Sequence, residues 1–260
     1  MNLRERRKVI SVQDRERYER QIMLEEIGEQ GQLRLAKSRV LVVGAGGLGS
    51  AVLYYLAAAG IGTIGVVDDQ NVELSNLQRQ ILHSTARIGM PKVVSAKQTL
   101  LDLNPGITIL PYHIRLDRSN AAELVSQYDL VISALDNEET RFLLNENCVS
   151  LRKPMVDGGV QGFYGRLLTI LPGEGPCYAC IFPHKDDRSF KKQGSEDMAI
   201  PVFSTTPGII GILQAQEAFK ILLGVGTALV GKILFYDGLT TTFQKLEVGR
   251  VNGCTCCSQL

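Results

Sequence analysis

Three glycines at fixed spacing, Gly44, Gly46 and Gly49, with Gly47 as an extra, stand in VLVVGAGGLGSAVLYYLAAAG (residues 40–60). A Gly-x-Gly-x-x-Gly loop between a strand and a helix lets backbone approach a phosphate, and the helix start offers free N–H groups to it. Asp68 follows near where a ribose-binding acid belongs, a pattern that fits NAD and ATP about equally. The next stretch, DDQNVELSNLQRQILHSTARIGMPK (residues 68–92), separates the two readings. It places Asn76, Arg79 and Lys92 just beyond a strand end, and Arg with Lys beside a glycine loop suits three charged phosphates better than the two-phosphate bridge of NAD. Asp136, at the end of a later apolar run, could hold Mg²⁺, an ion that takes one or two carboxylates and phosphate oxygens. Glycine loop, Arg79, Lys92 and Asp136 together describe nucleotidyl transfer. Each basic residue taken alone reads as a solvated surface charge; the set at one sheet edge favours function.

A second chemistry is written in cysteines. GPCYAC holds Cys177 and Cys180, and the terminal GCTCCSQL holds Cys254 and Cys257. Two C-x-x-C pairs make a tetrahedral thiolate site that Zn²⁺ fits best, and with all four positions filled the metal is structural. The pairs are 73 residues apart (181–253), so the site would clip the end of the chain onto the body. Independent thiols or a redox pair are the blander readings, weakened by the presence of two pairs. Cys256 is a spare neighbour that could compete as a ligand, and Cys148 reads as a core thiol. His83, His113 and His184 are scattered singly and read as structural or surface residues; no Ser-His-Asp pattern occurs. Arg20, by spacing alone, is a surface charge.

The elements that must position these groups alternate. Residues 40–46 read as strand, loop and helix start, and residues 63–68, 107–113, 129–136 and 154–160 as strands, with a helix from residue 92 that stops before Pro105 and helices over 121–128 and 140–153 between them. Amphipathic helices are expected within residues 14–37. The alternation predicts a Rossmann-like, doubly wound α/β fold with a mostly parallel sheet, whose ligands bind at the carboxyl ends of the strands. The glycine loop, Asp68 and Asp136 all fall at such ends. After Val160 the pattern changes to antiparallel strands (165–173 and 232–248), a helix over 211–224, and a charged loop, HKDDRSFKKQGSED (184–197), that reads as a mobile segment. One domain is expected over 1–260, with a nucleotide-binding part over 14–160 and a crossover, antiparallel and zinc part over 161–260.

Bulk properties exclude several alternatives. The chain has 260 residues, 45% hydrophobic and 21% charged, with a net charge of +1. That is ordinary for a globular protein and gives no basic stripe for nucleic acid. Residues 40–67 carry no charge and could span a bilayer by length, but their seven glycines fit a strand, a helix and a second strand better. The charged N-terminus has no signal or transit character, so a cytoplasmic protein with reduced cysteines is expected.

The motifs RYERQI (17–22), VLVVGAGGLGS, LSNLQRQ (74–80), GMPK (89–92), DLVISALDN (129–137), GPCYAC, GILQAQEAFK (211–220) and CTCC (254–257), in this order, resemble the ThiF/MoeB/HesA group of ubiquitin-activating-enzyme-like adenylyltransferases over nearly the whole chain. The resemblance implies ATP-dependent adenylylation of the C-terminal Gly-Gly carboxylate of a small ubiquitin-fold sulfur carrier. It implies that Asp68 holds the ribose, that Asn76, Arg79 and Lys92 hold phosphates, and that Asp136 serves Mg²⁺. It also implies a homodimer in which Arg20 reaches the ATP of the other subunit. Two departures stand out. Gln70 occupies the place of the family's second acid in D-x-D, with Asp69 as a possible substitute. Residues 181–211 contain no cysteine, so a thioester or persulfide on that crossover is not expected and a separate sulfur donor is. Pro201 and Pro207 suggest a stiff crossover. The competing readings are adenylation of a peptide C-terminus or a modified tRNA base, an NAD-dependent oxidoreductase for which no hydride-site residues are evident, and a non-catalytic zinc scaffold.

Overall fold

A computed structural model describes residues 9–182 and 201–259. Two amphipathic helices lead in, α1 (Val12–Ile22), whose Ser11 side chain caps the Asp14 N–H, and α2 (Gly28–Lys37). The parallel strands are β1 (Arg39–Val43), β2 (Thr63–Val67), β3 (Thr108–Tyr112), β4 (Leu130–Ser133) and β5 (Met155–Gln161). The helices α3 (Gly47–Ala58), α4 (Lys92–Leu103), α5 (Ala121–Ser126) and α6 (Glu138–Ser150) connect them. Strands β6 (Tyr164–Ile170), β7 (Lys232–Asp237) and β8 (Thr242–Glu247) continue the sheet antiparallel, with the short α7 (Tyr178–Ile181) and the long α8 (Thr205–Leu223) before β7. The eight-stranded sheet has the order β3-β2-β1-β4-β5-β6-β7-β8, mixed α/β as the alternation predicts.

Strands β1 and β4 at the centre are almost wholly apolar because they are covered on both faces. Val40 and Val42 of β1 join the core with α3, α4 and α8, while Leu41 and Val43 join the one with α5, α6 and α7. Side-chain alternation therefore divides one run of valines between two cores. Pro111, which cannot donate a ladder hydrogen bond, is tolerated because β3 is the outermost strand. Helices α3 and α8 lie in close contact, a Cβ at Gly211 falling 2.5 Å from the Leu48 carbonyl oxygen.

Several boundaries differ from those expected. Strand β4 ends at Ser133, its last partner in β5 being Asp157, so Asp136 stands on the loop beyond it. Helix α6 starts at Glu138, because Asn137 caps the Thr140 N–H and so opens the helix ahead of Thr140. Helix α8 starts at Thr205 and takes Pro207 into its first turn, where the missing N–H costs nothing, so Pro207 belongs to the helix and not to a stiff crossover. It ends on Gly224 at φ 70°. The expected mobile segment over 184–197, with His184, lies outside the described residues.

Candidate functional site

The strand order reverses between β1 and β4, and the loops leaving these two strands define the crevice where doubly wound sheets take ligands. The loops touch: a Cβ on Gly44, whose φ is +104°, would fall 2.3 Å from the Ala134 carbonyl oxygen. A Cβ on Gly49 would fall 2.0 Å from the carbonyl oxygen of Gly44, so the first turn of α3 closes on the loop. Gly46 is the N-cap of α3 and accepts the Ser50 N–H and hydroxyl at 2.8 and 2.7 Å.

The Ala45 peptide is held on both sides. Its N–H donates to Asp68 Oδ2 at 2.8 Å, and its carbonyl meets His83 Nε2 at 2.9 Å. His83 is buried, with Nδ1 2.9 Å from the Ser95 hydroxyl. Burial lowers its pKa from 6.5, and the nearby Lys92 and Arg87 charges press the same way. The neutral imidazole then donates from Nε2 to Ala45 and accepts from Ser95 at Nδ1. Asp68 Oδ1 accepts the Gln70 N–H at 2.9 Å, so the acid after β2 also shapes the turn that follows.

Lys92 opens α4 and is 3% exposed. Its Nζ donates to Gln70 Oε1 at 2.6 Å, and its N–H donates to the Gln70 carbonyl at 2.9 Å. Among the described residues no carboxylate lies within 4.0 Å of this ammonium. Arg79 donates to the Ser75 carbonyl at 3.1 Å and its stem lies beside Gly47, as does Pro207. Asn76, 8% exposed, accepts the Glu73 N–H at 3.2 Å in a reciprocal cap of the short turn Leu74–Asn76. Gln80 is buried near Gly46, with no hydrogen bond to its Oε1 among the described residues. Gly44, Gly46, Gly47, Gly49, Asp68, Arg79 and Lys92 are thus gathered around one loop.

Asp136 is exposed at the mouth of the neighbouring loop. That loop is tied from beneath by buried charge. Asp157, fully buried in β5, accepts the Ser133 hydroxyl at 2.7 Å and Arg166 at 2.8 Å, and pairs with Arg141, which also donates to the Leu135 and Gly158 carbonyls. Arg20 is not part of the gathering. It is exposed on α1 between Tyr18 and Gln21, which are anchored at Gly60 and Ala59, the end of α3 away from the glycine loop. A helix of that length separates its two ends by about 18 Å.

Cys177, Cys180, Cys254 and Cys257 are buried with their sulfurs within 4.8 Å of one another. The separations are 3.9 Å for Cys177–Cys180, 3.7 Å for Cys177–Cys254 and 3.4 Å for Cys180–Cys257. Thiolates at ordinary zinc–sulfur distances in a tetrahedron stand about 3.8 Å apart, so the four could hold a metal ion. Burial opposes ionisation of Cys254, but the N–H groups of Cys256 and Cys257 outweigh it and bring the thiol down to about 7. Cys256 is outside the group; its sulfur takes the Asn145 amide at 3.0 Å, and the same side chain accepts the Tyr178 N–H at 2.8 Å. Cys148 is a fully buried core thiol whose pKa burial pushes up. His113 is exposed and bonds the Asp69 carbonyl at 3.0 Å.

Sequence reasoning missed the hold of His83 on the glycine loop, Gln80 and the Asp157 network. A charged residue inside the apolar run PMVDGGV signals a buried ion pair. A lone histidine gives no comparable signal.

The ThiF family model matches residues 18–256. The chain is 44% identical over 247 residues to the sulfur carrier protein adenylyltransferase of Thermus thermophilus, covering 93% of this chain and 90% of that one. It is 42% identical to the SAMP-activating enzyme E1 of Haloferax volcanii, covering 94% and 89%. It is also 44% identical to the adenylyltransferase and sulfurtransferase MOCS3 of Xenopus laevis, of which it spans 53%. Among solved structures, E. coli MccB with ATP superposes with a TM-score of 0.81 at 22% identity, covering 93% of this chain and 74% of that one, a likeness of fold. The family model over residues 18–256 and the relatives at 42–44% identity show that the chain belongs to the ThiF family.

Proposed function

We propose that the protein adenylylates the C-terminal Gly-Gly carboxylate of a small ubiquitin-fold sulfur carrier, using ATP. The observation that carries this reading is Lys92, an ammonium buried beside the glycine loop with an amide, not an acid, as its side-chain partner. A buried cation without a counter-ion is costly, and a site that keeps one is built to receive an anion. In this reading the carrier carboxylate attacks the α-phosphorus and the bond to the β-phosphate oxygen breaks, giving acyl-adenylate and pyrophosphate. The nucleophile is already ionised, so no general base is needed. Positioning and charge stabilisation do the work.

Asp68 takes the ribose, and its bond to Ala45 fixes the loop at the same time. Lys92, Arg79 and Asn76 hold phosphates. Asp136, exposed at the crevice and without a partner among the described residues, would hold Mg²⁺, which supplies charge neutralisation when bound. The four-cysteine group would hold structural Zn²⁺, which cross-links the chain end to the body when bound. Arg20 acts on the site of a second copy in a homodimer, a role suited to its place away from the glycine loop of its own chain. The carrier's body would rest on the part of β6–β8 where Tyr164, Phe235 and Leu246 are exposed, with its tail leading to the crevice. Residues 181–211 contain no cysteine, so the reaction stops at the adenylate and a separate donor brings sulfur in a cytoplasmic, reducing setting.

The test is ATP–pyrophosphate exchange with Mg²⁺ against a panel of Gly-Gly-ending carriers. Exchange that depends on one carrier, and is lost both in Asp136→Ala and when one residue is added after Gly-Gly, supports the reading. ATP binding without exchange for any carrier would overturn the carrier as substrate, and NAD binding in place of ATP would overturn the nucleotide.

A further inference from the structure

Gln70 stands in the turn between Asp68 and α4. Gln70 makes three hydrogen bonds that join the glycine loop to the buried cation. Its N–H donates to Asp68 at 2.9 Å, its carbonyl accepts the Lys92 N–H at 2.9 Å, and its side-chain oxygen accepts the Lys92 ammonium at 2.6 Å. Asp68 in turn holds Ala45 of the loop at 2.8 Å. Gln70 is itself exposed, so nothing in the packing demands an amide there. A carboxylate of the same length could make the same contact with Lys92. It would also cancel the ammonium's charge, which the amide leaves whole.

We propose that Gln70 is a positioning residue that aims Lys92 while leaving its charge unneutralised, and so sets how strongly the site prefers nucleotides with more phosphates. The proposal rests on the reading that Lys92 faces the polyphosphate. A nucleoside monophosphate offers little beyond the α-phosphate for Lys92 to grip. A triphosphate gains the full charge-assisted interaction, in the range that one ionised partner adds to a hydrogen bond.

The test compares AMP and ATP dissociation constants, with Mg²⁺, for the full chain carrying Gln70, Gln70→Glu or Gln70→Met, together with inorganic tripolyphosphate as a probe that has no nucleoside. Gln70→Glu is expected to cut the ratio of AMP to ATP dissociation constants about tenfold while AMP binding is unchanged. Gln70→Met keeps the charge but frees the ammonium, and its ratio is expected between the two. Melting temperatures of both variants should stay close to the parent, since residue 70 is exposed. An unchanged ratio in Gln70→Glu, or an equal loss for AMP and ATP, overturns the proposal, the latter because a merely structural role weakens both alike. Should the parent ignore ATP yet bind tripolyphosphate, with binding weakened in Gln70→Glu, adenylylation and the nucleotide preference both fall, and only the part of the proposal in which Gln70 leaves the Lys92 charge whole for polyphosphate stands. Binding of neither ligand by the folded parent removes both.

Discussion

Replacing Gly49 by Ala tests the site's geometry through one methyl group. The added Cβ would stand 2.0 Å from the Gly44 carbonyl oxygen and 2.9 Å from its carbon, both backbone atoms that cannot rotate away. A tolerable carbon–oxygen contact is about 3.3 Å, so the glycine loop and the first turn of α3 must separate by about 1.3 Å. Overpacking of this kind costs about 1–3 kcal/mol, which lowers the melting temperature of a chain this size by several degrees without unfolding it. The displaced atoms are those proposed to cradle phosphate, and a misplacement of about 1 Å can cost 100-fold in rate. We therefore expect folded protein whose carrier-dependent ATP–pyrophosphate exchange is slower by about 100-fold. Gly208→Ala is the control: it lies in α8 with nothing within 4 Å of a new Cβ, and should keep parental exchange. Parental exchange in Gly49→Ala would refute the claim that this close approach positions the phosphates.

Asp157→Asn leaves Arg141 buried beside a weakened partner, a loss of about 3–5 kcal/mol that should appear as a melting temperature roughly 10 °C lower; a fall of only a degree or two would deny the network its part in the fold. His83 predicts a pH dependence. Its folded pKa is lowered by burial, so below 6.5 the unfolded chain takes up a proton that the folded chain resists. Its contribution is nearly complete above 6.5 and declines as the pH falls below it, and a stability–pH slope below about pH 6.5 that is equally steep in His83→Gln would contradict this. The four-cysteine group should bind one metal ion per chain, measured by elemental analysis. Stripping the ion should lower the melting temperature, and Cys254→Ser should abolish the response to added zinc while Cys256→Ser keeps it.

What was legible in the sequence was local. The glycine loop, the β-branched strands and the paired cysteines each declare themselves within a few residues, because turn geometry, strand burial and metal ligation depend on short spacings. The Asp157 network was hidden because its members come from β4, β5, β6 and α6, and only the sheet's register brings Ser133 opposite Asp157. His83 was read as structural, which its burial bears out, but its hold on Ala45 spans 38 positions and no local pattern encodes it. The end of β4 was overrun because SALD continues the apolar pattern, whereas pairing with β5 stops at Ser133.

The cysteine clip has a consequence for what stability means in this chain. An ion held by all four thiolates closes residues 181–253 into a ring that contains α8, β7 and β8. Were the unfolded chain to keep the ion, the ring would restrict its freedom as a disulfide of that span does, by about 4 kcal/mol. If the ion departs on unfolding, the gain comes instead from its binding energy and varies with the free metal around it. Edge strand β8, every residue of it exposed, is anchored at one end by its hairpin and at the other by this ring. The chemical potential of the metal, as much as any contact in the core, would then decide whether the last strand stays in the sheet.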